Sequence, residues 1–192
     1  MSCLALDAMG VIFKSVDDVG ELLIPFIAEK CESTDEETIR SAYLAASLGI
    51  IHPDEFWDRV DVSADSEDEF LSRHGLNTGI TELLSLAKSK GIPIWCLSND
   101  VGRWSIKLRE RLGVEKVLAG SVISGDVGTR KPDEKIYQTL IHSSGYQGEN
   151  ILFVDDRDAN VVAACEAGLD AVRYDPEHGF TDVESWISRC RP

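Results

Sequence analysis

Short apolar runs that end on polar residues alternate along the chain with longer stretches whose apolar residues recur every three or four positions. The first run, Leu4-Ala5-Leu6-Asp7-Ala8-Met9-Gly10-Val11-Ile12-Phe13, delivers a single carboxylate to the end of a buried strand, and a glycine then turns the backbone. Ile92 to Leu97 leads in the same way into Ser98-Asn99-Asp100, and Ile151 to Val154 ends on Asp155-Asp156. Val117 to Ile123 and Ala171 to Tyr174 complete the predicted strands. Between them the spacing predicts helices at 80–90, 103–112, 134–143, 159–167 and 180–189, several stopped by glycine (Gly91, Gly113, Gly168).

The stretch from Val16 to Arg73 has no strand-like run. Val19, Leu22, Leu23, Phe26 and Ile27 lie at helical spacing from Val16 to Lys30, with Pro25 as an expected kink. Ser33 followed by Glu36 reads as a capping box for a helix through Leu48, closed by Gly49. Pro53 fits the first turn of a helix over 54–60, and a fourth helix is expected over 65–73.

Strands alternating with helices predict an α/β fold: a doubly wound parallel sheet, Rossmann-like, with helices on both faces. The all-helical block is then an insertion. This divides the chain into a core of residues 1–14 and 79–192 and a small helical unit of residues 15–78. A length of 192 residues suits one core with a small appendage.

A net charge of −15 argues against nucleic-acid and anionic-membrane partners, which need a basic footprint. Most of it is local, since residues 14–78 hold 16 Asp and Glu against 5 Lys and Arg. That imbalance predicts a solvated acidic face that disfavours polyanionic substrates and tolerates a small neutral organic group such as a sugar. No apolar run approaches the ~18 residues of a membrane span, and no basic segment precedes the first apolar run, so no signal peptide is expected. Five scattered cysteines without a CxxC pair read as reduced thiols, which favours a cytoplasmic location; Cys96, inside an apolar run, reads as packing.

In a parallel sheet all carboxyl ends share one edge. Asp7, Ser98-Asn99 and Asp155-Asp156 can therefore converge, with Lys131 on the loop before a helix. Carboxylates at such an edge can hold a hard cation such as Mg²⁺, a hydroxyl and an ammonium can hold a phosphoryl group, and one carboxylate can attack it. Taken singly, Asp7 also reads as a turn cap, Ser98 as a helix cap and Lys131 as a surface charge; Asp158 and Asn160 read as caps of the helix that follows them.

The ordered set Asp7-x-x-Gly10-Val11, Leu97-Ser98-Asn99, Lys131-Pro132-Asp133 and Val154-Asp155-Asp156 resembles the haloacid dehalogenase-like hydrolase superfamily over nearly the whole chain. The resemblance implies a Mg²⁺-dependent phosphatase acting on a small phosphorylated molecule, with the helical insertion as a cap. It implies Asp7 as the nucleophile that forms an aspartyl-phosphate, and Ser98, Asn99 and Lys131 as holders of the transferring group. The metal ligands it implies are Asp7, the backbone carbonyl of Met9, Asp155 and Asp156. Family phosphatases usually carry a second aspartate two residues after the nucleophile, and this chain has Met9 there. A thioether exchanges no proton, and general acid–base help is worth roughly 10² to 10⁴ in rate. Two other readings follow from Met9: a carbon–halogen hydrolase, whose leaving halide needs no proton, and a catalytically impaired binding or regulatory protein. Retention of both acids at 155 and 156 favours phosphoryl chemistry.

Overall fold

The computed structural model describes residues 2–190. Five parallel strands, β1 (Cys3–Leu6), β2 (Ile94–Ser98), β3 (Gly120–Ile123), β4 (Ile151–Asp155) and β5 (Asp170–Arg173), form one sheet in the order β3-β2-β1-β4-β5. Leu4 lies opposite Ile94 on one side and Leu152 on the other, so β1 is central. The chain first winds outward from β1 through β2 to β3, then crosses back to β4 on the opposite flank of β1. That reversal opens a crevice at the carboxyl ends of β1 and β4, where sheets of this type bind ligands.

The helices are α1 (Ile24–Lys30), α2 (Glu36–Ala46), α3 (Pro53–Arg59), α4 (Glu67–Leu71), α5 (Ile80–Ser89), α6 (Gly102–Arg111), α7 (Ser124–Val127), α8 (Glu134–Ser144), α9 (Asp158–Glu166) and α10 (Thr181–Arg189). Alternation in β1 sends Leu4 and Leu6 into a cluster with Ile80, Leu83, Val183 and Ile187, while Cys3 and Ala5 face Ile136, Tyr137 and Ala164. Both faces of the sheet are thereby covered, which is why its strands read as continuous apolar runs. Cys96 is fully buried and burial pushes its thiol up to about 12, in keeping with packing. Among the described residues, no helix is long and apolar enough to cross a membrane.

Between β1 and α5 the chain is helical, and its buried residues make a separate cluster centred on Phe26, Phe56, Trp57 and Phe70. Val101 and Trp104, from the start of α6, complete that cluster. Trp104 stacks edge-on against Phe56 at 5.0 Å, and its indole N–H donates to Glu67 at 2.6 Å. Glu67 also accepts from the Trp57 indole and pairs with Arg103 and Lys107. An ionised side chain here is compatible with burial because every nearby donor is aimed at it.

Several local expectations are corrected. The first helix begins at Val19, not Val16, and its first five residues are π-helical, with the Ile24 N–H bonded to the Val19 carbonyl just before Pro25 removes a donor. Asp35, not Ser33, caps α2, accepting from the Thr38 N–H at 2.8 Å; Ser33 turns instead to the Cys31 thiol. The helix expected over 65–73 is a 3₁₀ turn, Ala64–Ser66, running into the short α4.

Candidate functional site

Asp7 leaves β1 at the crevice. Its backbone N–H bonds the Val154 carbonyl at 2.9 Å, which continues the pairing with β4 by one residue and fixes the carboxylate beside that strand's end. Gly10 then turns the chain at φ +80°, and a Cβ there would lie 2.7 Å from the Asp156 carboxylate. Only a residue without a side chain permits that approach. Asn77 steadies the turn, its amide donating to the Gly10 carbonyl at 3.0 Å.

Lys131 enters from the loop before α8, and its side chain is 1% exposed. Its ammonium lies 2.7 Å from Asp7 Oδ1, 2.7 Å from Asp155 Oδ2 and 3.0 Å from the Leu97 carbonyl it donates to. One nitrogen thus ties together the ends of β1, β2 and β4. Asn99 makes this reach possible: its side-chain oxygen accepts from the Lys131 N–H at 2.8 Å, and its amide donates to the Lys131 carbonyl at 2.9 Å. The Asn99 side chain is therefore turned to the Lys131 backbone and acts as a clamp on that loop.

Asp155 is saturated. Oδ2 takes Lys131, Oδ1 takes the Arg157 N–H at 2.9 Å, and both oxygens accept from the Asn160 amide at 3.0 Å. This corrects the cap reading of Asp158 and Asn160. Arg157 is the N-cap position of α9 without a side-chain cap, Asp155 receives its N–H, and Asn160 is a buried brace for Asp155. Asp158 is exposed and lies 3.5 Å from Arg173. By contrast, Asp156 Oδ1 and Ser98 Oγ are buried with no hydrogen-bond partner among the described residues. Buried polar atoms are rarely left so, and these two oxygens have lone pairs to offer a ligand at this corner.

Asp7, Asp155 and Asp156 bring carboxylate oxygens within 4.8 Å of one another. Burial pushes Asp7 well above the usual carboxylate range; Lys131 opposes this, while Asp155 and Asp156 add to it. Asp156 is raised by burial and by Asp155. Burial alone would raise Asp155 too, but Lys131, the Arg157 N–H and Asn160 outweigh it and hold that group low. Lys131 would be lowered by burial, and its two carboxylates instead hold it above its usual value. With three carboxylates ionised against one ammonium, two negative charges are in excess, which a divalent cation would neutralise.

A cavity of about 400 Å³ opens over this corner, lined by Asp7, Met9, Ser98, Asn99 and Lys131 from the sheet edge. Its far wall is Val16, Asp17, Asp18, Val19, Arg40, Tyr43 and Leu44, and Arg130 and Arg157 flank it. The helical block thus presents two acids, one arginine and otherwise uncharged side chains to the cavity; most of its acidic residues lie on other surfaces. Sequence reasoning missed Asn77, Asn160, Tyr43 and Arg130. Arg130 and Asn160 carried a signal, as neighbours of Lys131 and of Asp155-Asp156, though Asn160 was read as a cap; Asn77 and Tyr43 are single polar residues on elements remote in sequence.

Residues 1–168 match a family model described as haloacid dehalogenase-like hydrolase. A chloroplastic flavin mononucleotide hydrolase of Arabidopsis thaliana is 27% identical over 97 residues, 50% of this chain and 39% of that protein. A sesquiterpene phosphatase of Aspergillus oryzae is 29% identical over 90 residues, 47% of this chain and 46% of that protein. The matches span less than half the length of these curated relatives. A haloacid dehalogenase-family enzyme of Bacteroides thetaiotaomicron, solved with magnesium and inorganic phosphate, superposes with a TM-score of 0.76 at 18% identity, covering 95% of this chain and 98% of that one. A Thermotoga maritima protein described as a putative beta-phosphoglucomutase gives a TM-score of 0.70 at 20% identity, covering 96% and 99%.

Proposed function

The chain belongs to the haloacid dehalogenase-like hydrolases, and from that premise we propose that it hydrolyses phosphomonoesters through an aspartyl-phosphate on Asp7. The observation that carries the reading is Lys131, held 2.7 Å from both Asp7 and Asp155, beside the unpartnered Ser98 hydroxyl. Ser98 Oγ and the Lys131 ammonium are the donors for two phosphoryl oxygens, and Asp7 is the carboxylate that attacks phosphorus from the opposite side to the leaving oxygen. Asn99, Asp155 and Asn160 position these groups. Water then attacks the phosphorus of the acyl phosphate and returns Asp7 to a carboxylate.

The donor set suits Mg²⁺, a hard cation taking oxygen ligands. Asp7 and Asp156 would hold it with the Met9 carbonyl; Asp155 stands beside them with its lone pairs already engaged, and the orphaned Asp156 Oδ1 is the observation in favour. When bound, the ion neutralises the excess carboxylate charge and that of the incoming phosphate. Residues 15–78 serve as the cap that shapes the space for the leaving group over a core of residues 1–14 and 79–192.

The mixed lining of the cavity supports a small phosphorylated organic molecule as substrate. Release of phosphate from an aryl phosphate, lost on chelation and in Asp7→Asn, is the expected result. Met9 on the cavity wall favours carbon–halogen hydrolysis as a second reading. Metal-independent halide release from a 2-haloacid, with no phosphate release, would replace the first reading by the second.

A further inference from the structure

Position 9 has no proton to give, yet the cavity that holds Asp7 is also lined by a carboxyl group without a side-chain cap role. Asp17 and Asp18 are adjacent where the helical block begins, and they have different partners. Asp17 is the half that serves the fold: its Oδ1 accepts from the Gly20 N–H at 3.1 Å, its carbonyl accepts from the Glu21 N–H at 2.7 Å, and Arg40 lies 3.9 Å from its other oxygen. Asp18 occupies the N-cap position of the Val19–Leu23 stretch but makes no side-chain cap hydrogen bond. It is 7% exposed and lines the same cavity as Asp7 and Met9.

The loop that carries Asp18 is tied to the metal corner. Arg157, which follows Asp156, donates from its guanidinium to the Val16 carbonyl at 3.1 Å, two residues before Asp18. On the other side stands Tyr43 of α2, buried, with its hydroxyl donating to the Asn99 carbonyl at 3.3 Å. Asp7, Asp18 and Tyr43 all line the one cavity, and burial, together with both carboxyl groups and Asp100, raises the phenol.

Resting on the phosphatase reading, we propose that Asp18 is the proton-transfer residue of this site, serving in place of the acid that position 9 lacks. Asp7 attacks phosphorus, the bond from phosphorus to the leaving oxygen breaks, and the Asp18 carboxylic acid protonates that oxygen, leaving an alcohol, an aspartyl-phosphate and the Asp18 carboxylate. The carboxylate then takes a proton from the attacking water as the acyl-phosphate P–O bond breaks, which restores both groups. Burial, aided by Asp17, pushes Asp18 up to about 6, with nearby backbone N–H groups and Arg157 offsetting part of the rise. A value near the working pH suits a group that must act both as acid and as base. The charged and titratable groups around it are Asp17 and Arg157 from the loops, Arg40 and Tyr43 from α2, Asp100 beyond β2, and Arg130.

The test compares the full-length chain with Asp18→Asn and Asp18→Glu, using Mg²⁺ and a pair of substrates: an alkyl phosphate, whose leaving alkoxide must be protonated, and 4-nitrophenyl phosphate, whose phenoxide departs unaided. Asp18→Asn is expected to slow the first turnover of the alkyl phosphate by about 10²-fold or more while changing the single-turnover burst of nitrophenol by under about tenfold, and to slow the later turnovers of both substrates through loss of the base. The limb of kcat/KM that falls as pH rises is expected to vanish in Asp18→Asn and to return, displaced, in Asp18→Glu. Met9→Asp in the Asp18→Asn background is expected to restore alkyl phosphate turnover, since it supplies the acid at the other position. A first-turnover loss that is equal on both substrates, or no loss, overturns the assignment while the phosphatase reading stands. A wild type that releases no phosphate from either overturns both.

Discussion

Replacing Lys131 by Met removes the cation that lies between two buried carboxylates at near-constant volume. The ammonium makes contacts of 2.7 Å to Asp7 and 2.7 Å to Asp155, and the carboxylate side chains are 9% and 0% exposed. Leaving a buried charge without its partner costs about 3–5 kcal/mol. Asp155 keeps the Asn160 amide and the Arg157 N–H, whereas Asp7 keeps a bond of 2.6 Å from the Ala8 N–H, so Asp7 bears the larger share. The variant relieves this by retaining a proton on the pair. With Lys131 gone, the carboxyls titrate above their unfolded value of about 3.9, so the stability linked to that proton is present below the unfolded pKa and lost as pH rises through the folded one. Each proton the variant retains beyond those the wild type already holds changes the gap by about 1.4 kcal/mol per pH unit. Urea unfolding at pH 5, 6 and 7 is therefore expected to show a gap of about 3–5 kcal/mol at pH 7 that shrinks by about 2–3 kcal/mol at pH 5. Adding Asp155→Asn is expected to recover at least about 1 kcal/mol, as neighbours in one network do. A gap below about 1 kcal/mol at pH 7, or one that does not move with pH, would refute the view that Lys131 compensates buried charge.

Mg²⁺ at 100 times its dissociation constant should stabilise the fold by about 2.7 kcal/mol in a thermal melt, an effect absent from Asp156→Asn. Because Asp7 and Asp156 are both held above the usual carboxylate range, the ion must displace protons, and calorimetry should find its affinity rising from pH 5 to pH 7. Gly10→Ala should cost about 1–2 kcal/mol for the left-handed backbone alone and, by pushing Asp156 aside, reduce the Mg²⁺-induced shift. In Glu67→Leu, two indole N–H groups lose their acceptor, at about 1–3 kcal/mol each by chemical denaturation. Burial would raise Glu67, but Lys107, Arg103 and the two tryptophans outweigh it and hold the group low, so its contribution is present above the unfolded value of about 4.3 and is lost as pH falls through the folded one. The variant should lack that part of the acid-induced loss.

The periodicity of the chain determined the strands, their parallel pairing and most of the helices, because a sheet covered on both faces leaves continuous apolar runs ending at one edge. It also located Asp7, Ser98 and Asp155-Asp156, since residues at the ends of such runs must share that edge; Lys131, on a loop before a helix, was picked out by the motif it belongs to. Helix starts were less legible: Ser33 and Asp35 are equally good caps on paper, and only the path of the chain decides between them. Tertiary structure alone decided how the polar groups divide their work. Asp155 and Asp156 are adjacent and chemically identical, yet one is saturated by Lys131, Asn160 and a backbone N–H while the other keeps a free oxygen. Asp17 and Asp18, which both line the cavity, differ in the same way, one accepting from the Gly20 N–H and the other making no side-chain cap hydrogen bond. A carboxylate's role depends on which donors reach it, and those donors come from segments that sequence order keeps far apart.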